Sequence, residues 1–463
     1  MVRAHRWYPH GAWQGASRLG QQTLGKGAEG EKAVVFAPVR SVFGYQLGRL
    51  DDGSNRAPNH PPPPNPQPEP GPVESTAFLV PAPRLPGLDL VRAVAITWVM
   101  IYHAWLFGLD SQDSWLVGRG WMGVDLFFVL SGFLIAGQLL RPWARGRRPD
   151  YRRFFARRAV RTLPAYVVVV AAYFLIPAVR DRAHIQPLWQ FLTFTENLLF
   201  DISTPKAFSH VWSLCVEEQF YLVFPAAVAL IALRPTPGRI IGALAMVLLL
   251  GMALRGYLWL HDVAKSPFDI ASTPRTGHFM TAIYYPTWTR LDGLLAGVAA
   301  AALQIFRPTL WARLTARSNL VLAVGLIGVA ASILLFRDQT AGFWMTVFGF
   351  PFLSFSIGLV VIAASDDRSI LARYPVPGAG ALAAGAYSLY LTHKAVFHAV
   401  QVAAPQLPPL LQAVAFPLAL LGALGVGAAL HWLVERPFLK LRDRLEGPSR
   451  SSLAVAAALG EAR

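Results

Sequence analysis

Cysteine is almost absent. The single thiol, Cys215, rules out an internal disulfide framework and a cluster of thiolate metal ligands. Charge is scarce too: 15% of residues are Asp, Glu, Lys or Arg, where soluble domains carry about 25%. Acids are the scarcer sign, 26 against 42 Lys and Arg, which leaves a net charge of +16 over 463 residues. A basic balance fits nucleic acid, but no RNA- or DNA-binding motif accompanies it. In a hydrophobic chain it fits loops facing the cytoplasm instead. His and acidic residues show no HExxH-like spacing, so no metal site is expected. No internal repeat is evident. The opening MVRAHRWYPHGAWQG has no continuous apolar core and does not read as a signal peptide.

What fills the chain is apolar: 54% hydrophobic residues and a mean hydropathy of +0.40. The fold class expected is all-α, a polytopic membrane protein with about ten transmembrane helices. The apolar segments span approximately 88–109, 120–140, 162–179, 211–233, 240–260, 288–305, 319–336, 342–364, 380–400 and 412–434. Segments three and six are the shortest. The stretch 261–287 is too polar to span. Residues 1–84 form a Pro/Gly-rich extension, ending in HPPPPNPQPEPGP, that lacks the apolar surface to fold and is expected to be disordered. The transmembrane domain then runs over 85–445, followed by a short cytoplasmic tail, 446–463.

Lys/Arg bias sets the orientation. After segment two comes RPWARGRRPDYRRFFARRAVR; loops of the same parity are RPTPGR, RPTLWARLTARS and DDRSILARYP, and the tail begins ERPFLKLRDR. The opposite loops are poorer, so both termini are expected in the cytoplasm. The arginine-rich stretch reads as a loop with two roles open. It is a topology anchor snorkelling to lipid phosphate, or a phosphate-ligand site through Arg157, Arg158 and Arg161 at helical spacing.

Ionisable residues inside a bilayer are costly and need partners or a function. Segment one, LDLVRAVAITWVMIYHAW, carries Arg92 and His103 eleven positions apart. That is almost three turns, so both share one face about 16 Å apart along the axis. Counted in turns, Asp125, Glu217, Arg290, Asp292, Tyr387 and His393 approach the depth of His103 from four other segments. A lone membrane histidine is usually a neutral packing residue, and Arg290 with Asp292 reads equally as an internal ion pair. Tyr390 and Trp212 read as packing, and Glu218 as facing elsewhere. A layer holding acid, base and hydrogen-bonding groups tips the reading towards a site.

The same pieces resemble a known family. LDLVRAVAITWVMIYH with its R-x10-H, GVDLFFVLSGFLI, RRAVRTLPAY, HVWSLCVEEQFYLVFP, TRLDGLLAG, AYSLYLTH and VERP are similar, in order from about 86 to 440, to the acyltransferase-3 membrane family. That family includes bacterial O-antigen, exopolysaccharide and macrolide O-acyltransferases. The resemblance implies a ten-helix core, acyl-CoA as donor co-substrate and no permanently bound cofactor. It makes His103 the catalytic residue, aligns Arg92 with the family's arginine and Glu217 with the WSLxxE acid, and sets Arg157, Arg158 and Arg161 near the CoA phosphates. Cys215 departs from the usual serine and Lys394 from an apolar or aromatic residue. The chain is expected to stand alone, without the SGNH-type domain fused to some members.

The expected function is transfer of an acyl group, acetyl in first place, from acyl-CoA (acetyl-CoA) to a hydroxyl of a sugar-containing acceptor. The setting is the lipid bilayer of a bacterial inner membrane. His103 is the general base, and Glu217 or Asp125 orients its imidazole. Arg92 and the three arginines bind the donor; Arg290, Asp292, Tyr387 and His393 bind substrate. A proton-coupled transporter is the alternative, against which stands the lack of paired broken helices in two matching halves. A binding module without chemistry is a third reading.

Overall fold

The computed structural model describes residues 85–109, 116–200, 204–233, 236–265, 274–336 and 342–446. Expectations for residues 1–84 and for the tail beyond 446 fall outside them. Among the described residues the fold is helical, with no strand beyond one isolated bridge, His184 with Lys206.

Ten long helices answer the ten apolar segments: α1 (Pro86–Leu106), α2 (Met122–Ala144), α3 (Tyr151–Leu175), α4 (Trp212–Ala232), α5 (Pro237–Leu258), α6 (Asp292–Phe306), α7 (Ser318–Leu335), α8 (Phe350–Ala364), α9 (Ala379–Ala403) and α10 (Ala415–Leu430). Among the described residues eight spans are long and apolar enough to cross a membrane, or nine if α6 and the bent-back helix Pro308–Thr315 count as one. The chain is therefore a multi-pass membrane protein. At 25 residues α9 has the length to span, but its polar side chains keep it outside that count. Those side chains build the site.

The arginine stretch differs from expectation. It is not a loop: α3 starts at Tyr151, so Arg152, Arg153, Arg157, Arg158 and Arg161 are all helical and segment three has 25 residues. The cause is local. Asp150 is an N-cap whose side chain accepts the Arg153 N–H at 2.9 Å, and arginine is a good helix former.

Lipid supplies no hydrophobic drive for helix association, so close packing and polar contacts must. The α2–α6 contact uses glycine. A Cβ on Gly132 would overlap the Leu294 carbonyl, and one on Gly297 the Val129 carbonyl. The peripheral helix α5 uses charge instead. Only 6% of its apolar window is buried, yet Arg255 is 1% exposed. Its guanidinium donates to both oxygens of Asp292, at 2.6 and 2.9 Å, and to the Thr289 and Val347 carbonyls at 2.7 and 3.3 Å.

Gly132→Val should abolish folded, monodisperse protein in detergent, because a helix–helix contact has no room to retreat. Gly242→Ala, on the open side of α5 where a Cβ meets nothing within 4 Å, should match or slightly raise the native melting temperature. Equal melting temperatures for Gly132→Val and the native chain would contradict this packing. Arg255→Met should cost about 3–5 kcal/mol by leaving the Asp292 carboxylate buried alone. Arg255→Met with Asp292→Asn should recover much of that loss in the same melt.

Candidate functional site

Helices α1 and α9 pack together along their length, and this contact joins two imidazoles 290 positions apart. The Nε2 of His393 lies 2.8 Å from Nδ1 of His103. On its other side, Nδ1 of His393 lies 3.0 Å from the carbonyl oxygen of Leu389, one turn back along α9. A carbonyl only accepts, so Nδ1 of His393 carries the proton and its Nε2 offers a lone pair. Nδ1–H of His103 therefore donates to His393, which leaves Nε2 of His103 with a free lone pair. His393 is fully buried, and His103 is half-buried.

A third ring completes the cluster. His210 stands at the entrance to α4, its centroid 6.1 Å from that of His103 and 5.1 Å from that of His393. Tyr390 donates its hydroxyl to the His210 carbonyl at 2.9 Å. With that proton committed, the Ser213 hydroxyl 2.7 Å away donates to Tyr390. Lys394 sits beside the cluster, paired at 2.9 Å with Asp181 and donating to the Ser209 hydroxyl at 3.2 Å. Asp181 belongs to the connector between α3 and α4. Burial pushes its carboxyl up, but the Lys394 ammonium, the Phe208 N–H and Arg182 together outweigh burial and hold it below the ordinary range. A cavity of about 290 Å³ adjoins the connector, lined by Pro177, Arg180, Arg182, Ala183 and His398. The Arg182 guanidinium lies 5.6 Å from the ring of Phe107, one turn beyond His103.

The remaining expected residues fall into other groups. Asp125 bonds Arg290 at 2.9 Å, and Arg290 lies over the Tyr284 and Phe350 rings at 4.5 and 4.2 Å. Both members of the pair are buried. Asp292 pairs with Arg255, not with its neighbour Arg290. Tyr387 donates to the Thr162 carbonyl at 3.0 Å, tying α9 to α3. Glu217 accepts the Tyr221 hydroxyl at 2.6 Å and a hydrogen bond from Ser131. The group hydrogen-bonded to His103 is thus another histidine, where Glu217 or Asp125 was expected.

Glu217 lies instead among the arginines. Arg158 and Arg161 act on it electrostatically, and Arg158 covers the Tyr221 ring at 4.6 Å. Arg158 and Arg92 also lie within electrostatic reach of Arg161. Arg92 itself approaches Asp89 at 3.4 Å. Arg157 is half-buried one turn before Arg161. The arginine group thus draws together residues of α1, α3 and α4, and the histidine cluster lies about three turns along α1.

Comparison with known proteins decides the family. The acyltransferase-3 model, described as an acyltransferase domain, matches residues 85–432. The chain belongs to the acyltransferase-3 family. It is similar to the O-acetyltransferase OatA of Staphylococcus aureus, 29% identical over 335 residues, covering 67% of this chain and 50% of the relative. It is also similar to the peptidoglycan O-acetyltransferase OatA of Listeria monocytogenes, 30% identical over 230 residues, covering 47% of this chain and 33% of the relative. The chain thus spans about half the length, or less, of these curated relatives. No solved structure matches it.

Sequence reasoning missed His210, Arg255, Asp181 and Glu196. His210 was visible as the histidine opening HVWSL, but no spacing rule points to it. Arg255 lies in an otherwise apolar span, where an isolated arginine is itself a signal for a buried acid. Glu196 is fully buried in the connector, and burial pushes its carboxyl up to about 8.

That shift has a pH signature. The unfolded carboxyl titrates near 4.3, so between there and about 8 the folded chain holds a proton the unfolded chain has lost. Stability then falls as pH rises through this window and levels off above it. Thermal melts from pH 5 to 9 should show the decline, and Glu196→Gln should flatten it. A Glu196→Gln melt with the native pH slope would refute the assignment.

Proposed function

We propose that this chain is an O-acyltransferase that moves an acetyl group from acetyl-CoA to a hydroxyl of a sugar-containing acceptor, with His103 as general base. The observation that carries this reading is the tautomer relay: Leu389 fixes His393, His393 fixes His103, and the outer nitrogen of His103 is left able to take a proton. A base held by a third group is the arrangement that base-assisted acyl transfer requires.

The acceptor oxygen bonds to the thioester carbon while its proton passes to Nε2 of His103. The carbonyl π pair moves onto oxygen. Collapse restores the carbonyl, breaks the C–S bond and returns the proton to the leaving thiolate, giving ester and free CoA. Arg157, Arg158 and Arg161 suit the CoA phosphates through charge-assisted hydrogen bonds, and Arg92 lies on the donor's route towards His103. The Lys/Arg bias supports a cytoplasmic side for the arginine group, in a bacterial inner membrane. A carbohydrate acceptor accords with the Listeria relative, which is named for peptidoglycan.

The test uses the full chain in lipid nanodiscs, acetyl-CoA and an enzymatic digest of peptidoglycan, reading thiol release and the mass of acetylated glycan. His103→Ala should lower the rate roughly 10²–10⁴-fold. A His103→Ala protein acetylating at the native rate would sink the proposal. Arg158→Gln with Arg161→Gln should raise KM for acetyl-CoA about tenfold or more while leaving kcat near native; an unchanged KM would remove the donor from the arginines.

A further inference from the structure

The end of the bundle beyond His103 carries positive charge that topology does not explain. Lys/Arg bias predicts few cations in the connectors opposite the arginine-rich stretch, and the α3–α4 connector is one of these. Yet Arg180 and Arg182 stand at its start. With Pro177, Ala183 and His398 they line the cavity of about 290 Å³.

Arg180 is firmly held but not neutralised. Its Nε donates to the Tyr173 carbonyl at 2.7 Å and its Nη2 to the Phe174 carbonyl at 3.1 Å. Both carbonyls belong to the last turn of α3. They fix the plane of the guanidinium without bringing a full negative charge, and these bonds do not use Nη1. Among the described residues no carboxylate bonds Arg180. Its neighbour Asp181 is turned to Lys394 at 2.9 Å and to the Phe208 N–H at 2.9 Å. Glu196, further along the connector, is fully buried and its carboxyl is pushed up to about 8, so it brings no charge at neutral pH. A half-buried cation without a counter-charge carries a desolvation cost that a bound anion offsets.

The cavity also lies on the side of His103 that the proposed chemistry has not used. Phe107 follows His103 by four positions, about 6 Å along the axis of α1. Gln401 donates to the Phe107 carbonyl at 2.7 Å, which ties this end of α1 to α9. Two lining residues flank the Phe107 ring: the Arg182 guanidinium at 5.6 Å and the His398 ring at 6.5 Å. The residues of the cavity thus begin about one turn beyond His103, while the arginines about Arg92 lie three turns to its other side.

We propose that this cavity binds a carboxylate of the acceptor glycan, held by Arg180 with Arg182 and His398 beside it, and so selects acidic acceptors. This rests on the transfer reading above, in which the donor occupies the arginine end and the acceptor must reach His103 from the other. A planar guanidinium fits a carboxylate through two parallel N–H bonds, and the carbonyls of α3 hold that plane in advance. At 290 Å³ the cavity lies at the lower limit of ligand clefts, about 300 Å³. It has room for one charged sugar-sized group, and the rest of the glycan stays outside it.

The experiment uses full chains in phosphatidylcholine nanodiscs, with acetyl-CoA and the peptidoglycan digest, either untreated or with its carboxyls amidated. In the native chain amidation should raise KM for the digest about tenfold. In Arg180→Gln that ratio should fall close to one, because the acidic digest loses its partner. Arg182→Gln, which leaves the bonds from Arg180 to α3 in place, should lower the ratio by less. A native ratio near one, or the native ratio kept in both variants, overturns the proposal; inactive His103→Ala in the same assay leaves the transfer reading standing. A lower melting temperature and kcat in Arg180→Gln with the ratio intact also overturns it, since capping α3 alone acts that way. So does a melting temperature raised by phosphatidylglycerol in the native chain and not in Arg180→Gln, with KM indifferent to amidation: the cavity then holds a lipid headgroup. Native activity in His103→Ala overturns the transfer reading itself.

Discussion

The Leu389 carbonyl can accept a hydrogen bond but never donate one, and the tautomers at the histidine end depend on that asymmetry. It places the proton of His393 on Nδ1. The lone pair on Nε2 then takes Nδ1–H of His103, and the nitrogen facing away is left basic. Soluble enzymes commonly assign this orienting role to a carboxylate. Within a bilayer a bare carboxylate carries a desolvation cost of several kcal/mol. A neutral imidazole, backed by the carbonyl one helical turn earlier, fixes the same tautomer without adding charge.

The charges that do lie inside are spent on holding the helices. Arg255 reaches from a lipid-facing helix to Asp292, Arg290 bridges to Asp125 across 165 positions, and Lys394 clasps the α3–α4 connector through Asp181. Each pair joins elements that apolar surface cannot sort, because lipid tails are as apolar as leucine. Glycines do the same work by proximity, as Gly132 and Gly297 do between α2 and α6. The resulting frame has α1 packed on α2 and α9, which fixes His103 against its partner.

Features internal to one helix were legible in the sequence. The eleven-residue spacing of Arg92 and His103 gives a common face by counting turns. Ten apolar segments give ten helices, although α9, which carries His393, falls outside the spans apolar enough to be counted as crossing. The Asp150 cap is equally local but went unread, and it separates a helix from a loop. What counting cannot supply is the rotation of one helix against another. The depth estimate grouped His103 with Asp125, Glu217, Arg290, Asp292, Tyr387 and His393 alike, yet of these it is His393 that bonds to it. The neighbours Arg290 and Asp292 reach different partners, because Arg290 lies in the bend before α6 and Asp292 is the first residue of the helix. His210 escaped because its position depends on the connector, whose course is set by Asp181, Lys394 and a left-handed Phe208 rather than by any period.

Two groups of residues lie on one helix, the arginines about Arg92 and the imidazoles about His103. In the proposed transfer the donor must reach both, which requires a charged head and a long narrow arm ending in the reactive thioester. A helix is rigid over three turns, so the separation of about 16 Å is set by the backbone and not by flexible side chains. In that proposal the constraint would select a donor by length before any contact is made to its acyl group. It also explains why Glu217 belongs with the arginines. A partly buried carboxylate, bonded to Tyr221 and Ser131, tempers a concentration of positive charge that would otherwise repel itself in low dielectric. The histidine pair needs no such counterweight, since its two rings are held by neutral hydrogen bonds.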